Sequence, residues 1–451
     1  MGENQAPKKI LRTWKEIAAY LDCDVRTCLR WEQNFDLPIH RIDDSTKSRV
    51  FAYEEELDRW LEERSNAKTK PHHSLLSRFL QKPLFIIFPL VVVLAVVILI
   101  ILARNLSPKN PVNFKILNSQ LIILDENNKE IWRYDTDIAN LVDEDTYRGR
   151  FQFQRKIEGK DHLPHLIVED IDRDGKSDVL FSIQTQNEHG EGKLFCFDHK
   201  GKIRWTYNGG CELKFGDTVY SPDYRIMGLS IHDFDDDGKS EIIIISAHRH
   251  FYPTQLTLLS VEGEKIGEYW NSGRISDWEM VDLDADGNEE IVASGCNNEY
   301  GKACVIVFDP LRMEGCSPQG SEYRCQDLDR GSEKYYVLFP RTEIDLLESP
   351  VEAIMTLEKQ HNERLTFRTT HSQVIFELDY QLGLRDIHFT HTFELKHREL
   401  LREGKITSVV DDEYRQRLAE GLLYYDGESW VAEPTMTSYW REIEKRLSLN
   451  R

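Results

Sequence analysis

The chain lacks the short signatures that mark common enzyme classes. No G-x-S-x-G nucleophile elbow, H-E-x-x-H zinc motif or glycine-rich phosphate loop occurs in its 451 residues, so a binding protein rather than an enzyme is expected. It also lacks a basic excess. Lys and Arg number 57 against 78 Asp and Glu, a formal charge of −21, and a surface of that sign repels nucleic acid. The imbalance is unevenly placed: residues 1–103 hold 15 basic and 14 acidic side chains, whereas the remainder holds 42 and 64. Nucleic-acid contact is therefore confined to the first hundred residues, and the acidic remainder suits cation binding or solubility. Disorder is excluded by a composition that is 40% apolar and 10% aromatic, enough to build cores. The length exceeds what one core usually serves, so several domains are expected.

One stretch lacks charge altogether. Residues 83–103, PLFIIFPLVVVLAVVILIILA, form 21 uncharged residues, which at about 1.5 Å per residue span roughly the 30 Å hydrocarbon layer. A transmembrane helix is expected, because a buried core helix seldom lacks a polar face over this length. Patterned residues precede it and its apolar core is long, which argues against a cleaved signal peptide. From Arg64 to Lys82 there are five basic residues and no acid, and Arg104, Lys109 and Lys115 follow the segment. This asymmetry favours a cytoplasmic N-terminus, with the C-terminal part periplasmic or extracellular. No cleavage site or lipidation cysteine adjoins the segment, so it is expected to stay as a single-pass anchor in the cell membrane. It also lacks G-x-x-x-G, which leaves a homodimer open.

Before this segment, Thr13-Trp14-Lys15-Glu16 is an S/T-x-x-E capping box, and Trp14, Ile17, Ala18 and Leu21 fall on one helical face. Asp24 can cap a second helix, VRTCLRWEQNF, from Val25 to Phe35. Residues 37–53 alternate about a turn-like Asp43-Asp44-Ser45-Thr46, which reads as a hairpin, and EEELDRWLEER closes the unit as a third helix at Arg64. Cys23 and Cys28 flank the tight turn and read as small core residues, with a redox switch the lesser alternative.

Beyond the segment, three loops share D-x-D-x-D-G-x-x-[D/E]: DIDRDGKSD at 170–178, DFDDDGKSE at 233–241 and DLDADGNEE at 282–290. Alternating oxygens let one loop present several ligands to one centre, and Gly at the sixth position permits the reversal. The candidate ligands are Asp170, Asp172, Asp174 and Asp178; Asp233, Asp235, Asp237 and Glu241; and Asp282, Asp284, Asp286 and Glu290, with Lys176, Lys239 and Asn288 contributing at the seventh position through the backbone carbonyl. All-oxygen sets without thiol or imidazole favour Ca2+ over zinc, and flexible geometry favours it over magnesium. Apolar strands flank each loop, so these are not EF-hands. A second hairpin follows each, giving about four strands per repeat, the content of a propeller blade. The loops start 63 and 49 residues apart, and LIILDENNKEIWRY from Leu121 and VIFELDYQLGLRDIHF from Val374 read as copies without the loop.

Two resemblances follow from these motifs. WKEIAAYLDCDVRTCLRWE with LPIHR and VFAYEEELDRWL resembles the winged helix-turn-helix domains of the MerR and excisionase group. That resemblance implies a second helix in the major groove, with Arg26, Thr27 and Arg30 facing DNA and the wing residues Arg41, Lys47 and Arg49 on the backbone. MerR-type regulators usually carry a long dimerising helix, and residues 65–82 contain none. The three-loop region resembles the FG-GAP and related VCBS repeats of integrin α-subunits and bacterial surface proteins, which implies a Ca2+-binding β-propeller.

The expected architecture is multidomain. A small α-rich winged helix-turn-helix occupies 10–64, a basic juxtamembrane linker 65–82 and one transmembrane helix 83–103. An all-β propeller follows at 114–391, and a C-terminal extension at 392–451 packs on it or closes it. The expected function is a membrane-anchored one-component transcriptional regulator that binds DNA inside and an unknown ligand or partner outside. The alternative is a membrane-anchored adhesion or assembly protein whose first domain binds protein. Six of the eight cysteines follow the membrane segment; disulfides are possible there, with Cys316 and Cys325 the nearest pair in sequence.

Overall fold

The computed structural model describes residues 9–42, 49–66, 93, 94, 96, 109–149, 163–186, 192–249 and 252–449. The chain divides into two compact units, Met1–Ser107 and Pro108–Arg451. Segment 83–103 lies outside the described residues apart from Val93, Leu94 and Val96. Among the described residues no helix is long and apolar enough to cross a membrane.

In the first unit Thr13 starts α1 (Trp14–Tyr20) by accepting the Glu16 N–H at 3.2 Å, and the Glu16 carboxylate accepts the Arg12 N–H at 2.7 Å. The reciprocal arm of the cap thus reaches one residue further back than the motif implies. Asp22, at φ +48°, reverses the chain, and Asp24 caps α2 (Val25–Phe35) by accepting the Thr27 N–H at 2.8 Å. Strand β1 (Ile10–Leu11) and strand β2 (His40–Arg41) flank β3 (Val50–Tyr53) in one small sheet, and α3 (Glu54–Asn66) follows. Ile17, Ala18, Leu21, Cys28, Leu37, Val50, Ala52 and Leu57 form its core. Trp31 borders that core with its ring 5.6 Å from that of Trp60.

The second unit is a series of antiparallel sheets whose strands follow chain order. Three strands between Asn113 and Asp135 form the first sheet, and four between Leu166 and Asn208 the second. The third runs from Tyr224 to Asn271 with four strands, and the fifth from Ile354 to Phe389 with four. The fourth, from Ile275 to Leu338, is extended by Leu423–Tyr425 and Trp430–Val431 to six strands. Consecutive sheets pack face to face. In the third sheet Ile242 and Ile244 meet the second sheet, while Ile243 and Ile245 meet the fourth. Both faces of an inner strand are therefore buried, which is why EIIIIS reads as a continuous apolar run rather than an alternating one. Meandering sheets of this content stacked in series make a β-rich, propeller-like arrangement.

A second contact repeats between neighbouring sheets. The indole of Trp132, on the last strand of the first sheet, donates to His199 O at 3.2 Å, and that of Trp205, on the last strand of the second, donates to Val261 O at 2.8 Å. Each ring covers a hairpin glycine of the next sheet, Gly201 and Gly263, both at φ near +80° (+83° and +82°). A Cβ at Gly263 would lie 2.5 Å from the Trp205 ring.

The C-terminal extension packs on this series. Phe393 of helix His391–Arg402 and Tyr414 and Leu418 of helix Asp412–Glu420 join the core shared by the fourth and fifth sheets. Thr437 Oγ1 donates to Glu333 O at 2.6 Å and Trp440 Nε1 donates to Ser332 O at 2.6 Å, which ties helix Ser438–Leu449 to the long connection before Tyr335.

Two measurements test this packing. Gly263→Ala combines a left-handed backbone with a ring contact, so it should cost about 2 kcal/mol in urea unfolding; an unchanged midpoint would show that the Trp205 latch is loose. Glu333 is 1% exposed, and burial pushes its carboxyl from 4.5 up to about 7. A carboxyl protonated in the folded state favours folding fully below its unfolded pKa, and that contribution disappears as pH rises towards the folded value. Between about pH 5 and pH 8 the melting temperature should therefore fall less in Glu333→Gln than in the parent chain. Equal slopes would show Glu333 already charged at the lower pH.

Candidate metal loops

All three acidic loops occupy the same place in the topology, between the first and second strands of the second, third and fourth sheets. The ninth loop residue begins the second strand and pairs with the last residue of the first: Glu169 with Asp178, His232 with Glu241, and Val281 with Glu290. The turn between them needs a left-handed backbone at the fourth and sixth positions. Arg173, Asp236 and Ala285 take φ of +55°, +56° and +59°, and Gly175, Gly238 and Gly287 take +83°, +92° and +96°. That conformation aims backbone N–H groups inward. The first carboxylate of each loop accepts the glycine N–H, at 2.9 Å for Asp170, 3.1 Å for Asp233 and 3.1 Å for Asp282. The third-position carboxylates of Asp172, Asp235 and Asp284 accept the fifth-position N–H at 3.1–3.3 Å.

Three oxygens converge in each loop. Carboxylate oxygens of Asp170, Asp172 and Asp174, of Asp233, Asp235 and Glu241, and of Asp282, Asp284 and Glu290 lie within 4.8 Å of one another. The remaining expected ligands are placed otherwise. Asp178 is turned to Arg204, whose Nη1 donates to its two oxygens at 2.8 and 2.9 Å. Asp237 and Asp286 lie outside their clusters and accept the N–H of Lys239 at 2.7 Å and of Asn288 at 2.8 Å. Asp174 stays in its cluster while accepting the Lys176 N–H at 2.7 Å. The Lys239 ammonium reaches Glu262 at 3.3 Å, away from the loop.

Basic side chains from elsewhere meet these carboxylates, and nothing in the loop motif announces them. Arg204, on the last strand of the second sheet, bridges Asp178 and Asp172, the latter at 2.9 Å. Lys334, carried by the connection before Tyr335, reaches Asp284 at 2.7 Å and Glu290 at 2.8 Å. Its neighbours raise the Lys334 pKa despite burial, so it is charged there. Burial pushes the Asp178 carboxyl up to about 6 against the pull of Arg204, and burial likewise raises Glu241 and Glu290. The second loop differs. Arg173 contacts Asp233 Oδ2 at 3.0 Å from an exposed position, and Asp233 Oδ1 is buried without a hydrogen-bond partner among the described residues.

This chemistry fits a hard cation best in the second loop, where Asp233, Asp235 and Glu241 converge and one buried oxygen is unspent. In the first and third loops an ion must displace or share its carboxylates with Arg204 or Lys334. The charge partners were not legible because Arg204 lies 26 residues from Asp178 and Lys334 lies 44 from Glu290, and strand order within one sheet rather than motif spacing brings them together.

In the first unit Arg26 and Arg30 are exposed on α2, and Arg49 is exposed before β3. Thr27 is committed to the cap, its hydroxyl donating to Asp24 Oδ2 at 3.0 Å. Arg41 is held by Glu32 at 2.5 Å. Lys47 lies outside the described residues. Of six expected DNA contacts, two are thus occupied within the unit by a cap and an ion pair. All eight cysteines are free thiols, including Cys316 and Cys325. Cys316 donates to Asp329 O at 3.3 Å instead.

No family model matches the chain, and no curated protein matches it. Solved structures similar to it include the Dos1 propeller, at 11% identity, TM-score 0.29, over 60% of this chain and 64% of that one. The C-terminal domain of Pseudomonas aeruginosa PilY1 is similar at 12% identity, TM-score 0.32, over 63% and 58%. BBS1N in complex with ARL6DN is similar at 7% identity, TM-score 0.30, over 63% and 70%. The chain spans less than two thirds of the first two of these. Strand order and the stacking of consecutive sheets give the second unit its propeller-like character.

Lys334→Met tests the third loop. With its ammonium gone, the buried Glu290 carboxylate loses its partner beside the exposed Asp284, which should cost about 2 kcal/mol in urea unfolding without divalent ions. Added calcium should restore most of that loss. A variant as stable as the parent, or one indifferent to calcium, would show that these oxygens are not a cation site.

Proposed function

We propose that the chain is a membrane-anchored one-component transcriptional regulator. In this reading 10–64 is a winged helix-turn-helix domain on the cytoplasmic side and 83–103 is the anchor. The second unit is then an FG-GAP-type propeller that recognises a ligand or partner outside, with Ca2+ stabilising its loops. The observation that carries the reading lies in the first unit. The capped helix α2 buries Cys28 in the core and packs the half-buried Trp31 against it, while Arg26 and Arg30 stand exposed, and a short hairpin follows. A capped helix with arginines on its open side after a tight turn is the form that enters a major groove.

The near balance of charge in residues 1–103, together with the use of Arg41 and Thr27 inside the unit, favours a second reading. The first unit would then recruit a protein, and the whole would serve adhesion or assembly. Genome-wide mapping of DNA bound by the full-length chain separates the two. Discrete enriched sites are expected, with at least a tenfold loss of enrichment in Arg26→Ala with Arg30→Ala and unaltered protein abundance. Enrichment indistinguishable from a chain lacking residues 10–64 would leave the assembly reading.

A further inference from the structure

The turn between α1 and α2 holds a pair of sulfurs that the proposed function does not use. Asp24 is the cap of α2, so Cys23 is the residue before the cap and Cys28 is the fourth residue of the helix. Those two positions commonly carry apolar side chains that touch across the helix start and fix its direction. Here both are cysteine. Cys28 is 0% exposed among Ile17, Ala18, Leu21 and Ala52, whereas Cys23 is partly exposed. Their Sγ atoms lie 3.2 Å apart. The backbone holds them there: Cys23 N–H donates to Ala18 O at 3.0 Å, Cys28 N–H donates to Asp24 O at 3.2 Å, and Asp24 is fixed by both donors of Thr27.

We propose that Cys23 and Cys28 are a redox-active dithiol that forms an intramolecular disulfide by exchange with a small-molecule disulfide. The contact needs only about 1 Å of further approach to reach a bonded sulfur pair, and the two side chains already point at each other. Cys23 is the sulfur that a small disulfide can reach. Its thiolate attacks the disulfide and releases one thiolate, leaving a mixed disulfide on Cys23. Cys28 then loses its proton and attacks the Cys23 sulfur, forming the Cys23–Cys28 bond and expelling the second thiolate. The protein gives up two electrons and two protons, and the small disulfide is reduced to two thiols. Burial pushes the Cys28 thiol up to about 12, so the second step is the slow one and the dithiol is the resting form in a reducing compartment. The bond would replace a van der Waals contact by a covalent one at the start of the helix that presents Arg26 and Arg30, so redox state and the bearing of that helix are joined.

The test uses the full chain, reduced and then exposed to excess glutathione disulfide, denatured in iodoacetamide and digested with trypsin. Cleavage after Lys15, Arg26 and Arg30 places the two cysteines on separate peptides, 16–26 and 27–30. The expected product is that pair joined by a disulfide and separated again by dithiothreitol. Cys28→Ser should instead retain glutathione on Cys23, because the resolving thiol is gone. Both cysteines recovered alkylated after oxidation would overturn the proposal, as would glutathione retained on Cys23 of the parent chain to the same extent as in Cys28→Ser. A disulfide joining Cys23 of two chains, without the 16–26 to 27–30 product, would overturn it too. The readout is independent of DNA binding, so its failure leaves the regulator reading untouched.

Discussion

Burial of both faces of the inner sheets is the constraint on which the larger unit depends. Ile242 and Ile244 face one neighbour and Ile243 and Ile245 the other, so a single strand contributes to two cores at once. Register is then strongly specified, because a slip of one residue exchanges the two faces and mismatches both cores. The Trp132 and Trp205 latches lie at the edge of the same interfaces, where each ring closes over the hairpin of the next sheet. What the loops can do depends also on strand order within each sheet, since Arg204 and Lys334 reach the first and third loops from those loops' own sheets.

Electrostatics at the loops shows the consequence. Each begins as a cluster of carboxylates on a turn lined with inward N–H groups, an arrangement that repels itself unless positive charge is supplied. The first and third loops receive it from Arg204 and Lys334 and the second from the exposed Arg173, yet Asp233 keeps one buried oxygen unmatched. Three loops with one motif are therefore not equivalent. The second loop, whose only cation is the exposed Arg173 and whose Asp233 keeps a buried oxygen unspent, has the strongest claim on a metal among the described loops.

The smaller unit depends on capping rather than on sheet stacking. Asp24 and Thr27 spend their polar atoms on starting α2, and Glu32 holds Arg41 beside the hairpin. The unit thereby converts residues that could face a partner into parts of its own frame. Arg26, Arg30 and Arg49 remain at its surface.

Local structure was legible because its causes are local. The capping residues Thr13 and Asp24, the hairpins at Leu121 and Val374 and the position of each acidic loop between two strands follow from periodicity, turn chemistry and spacing. The sixth-position glycines likewise declare a left-handed turn wherever the motif occurs. Tertiary structure alone decided which carboxylates share a centre, that Asp178 belongs to Arg204, that Lys334 crosses to Glu290, and that the chain's last strands extend the fourth sheet. These are meetings between residues tens of positions apart. Their energy depends on distance in space, which a linear pattern of residue types does not encode.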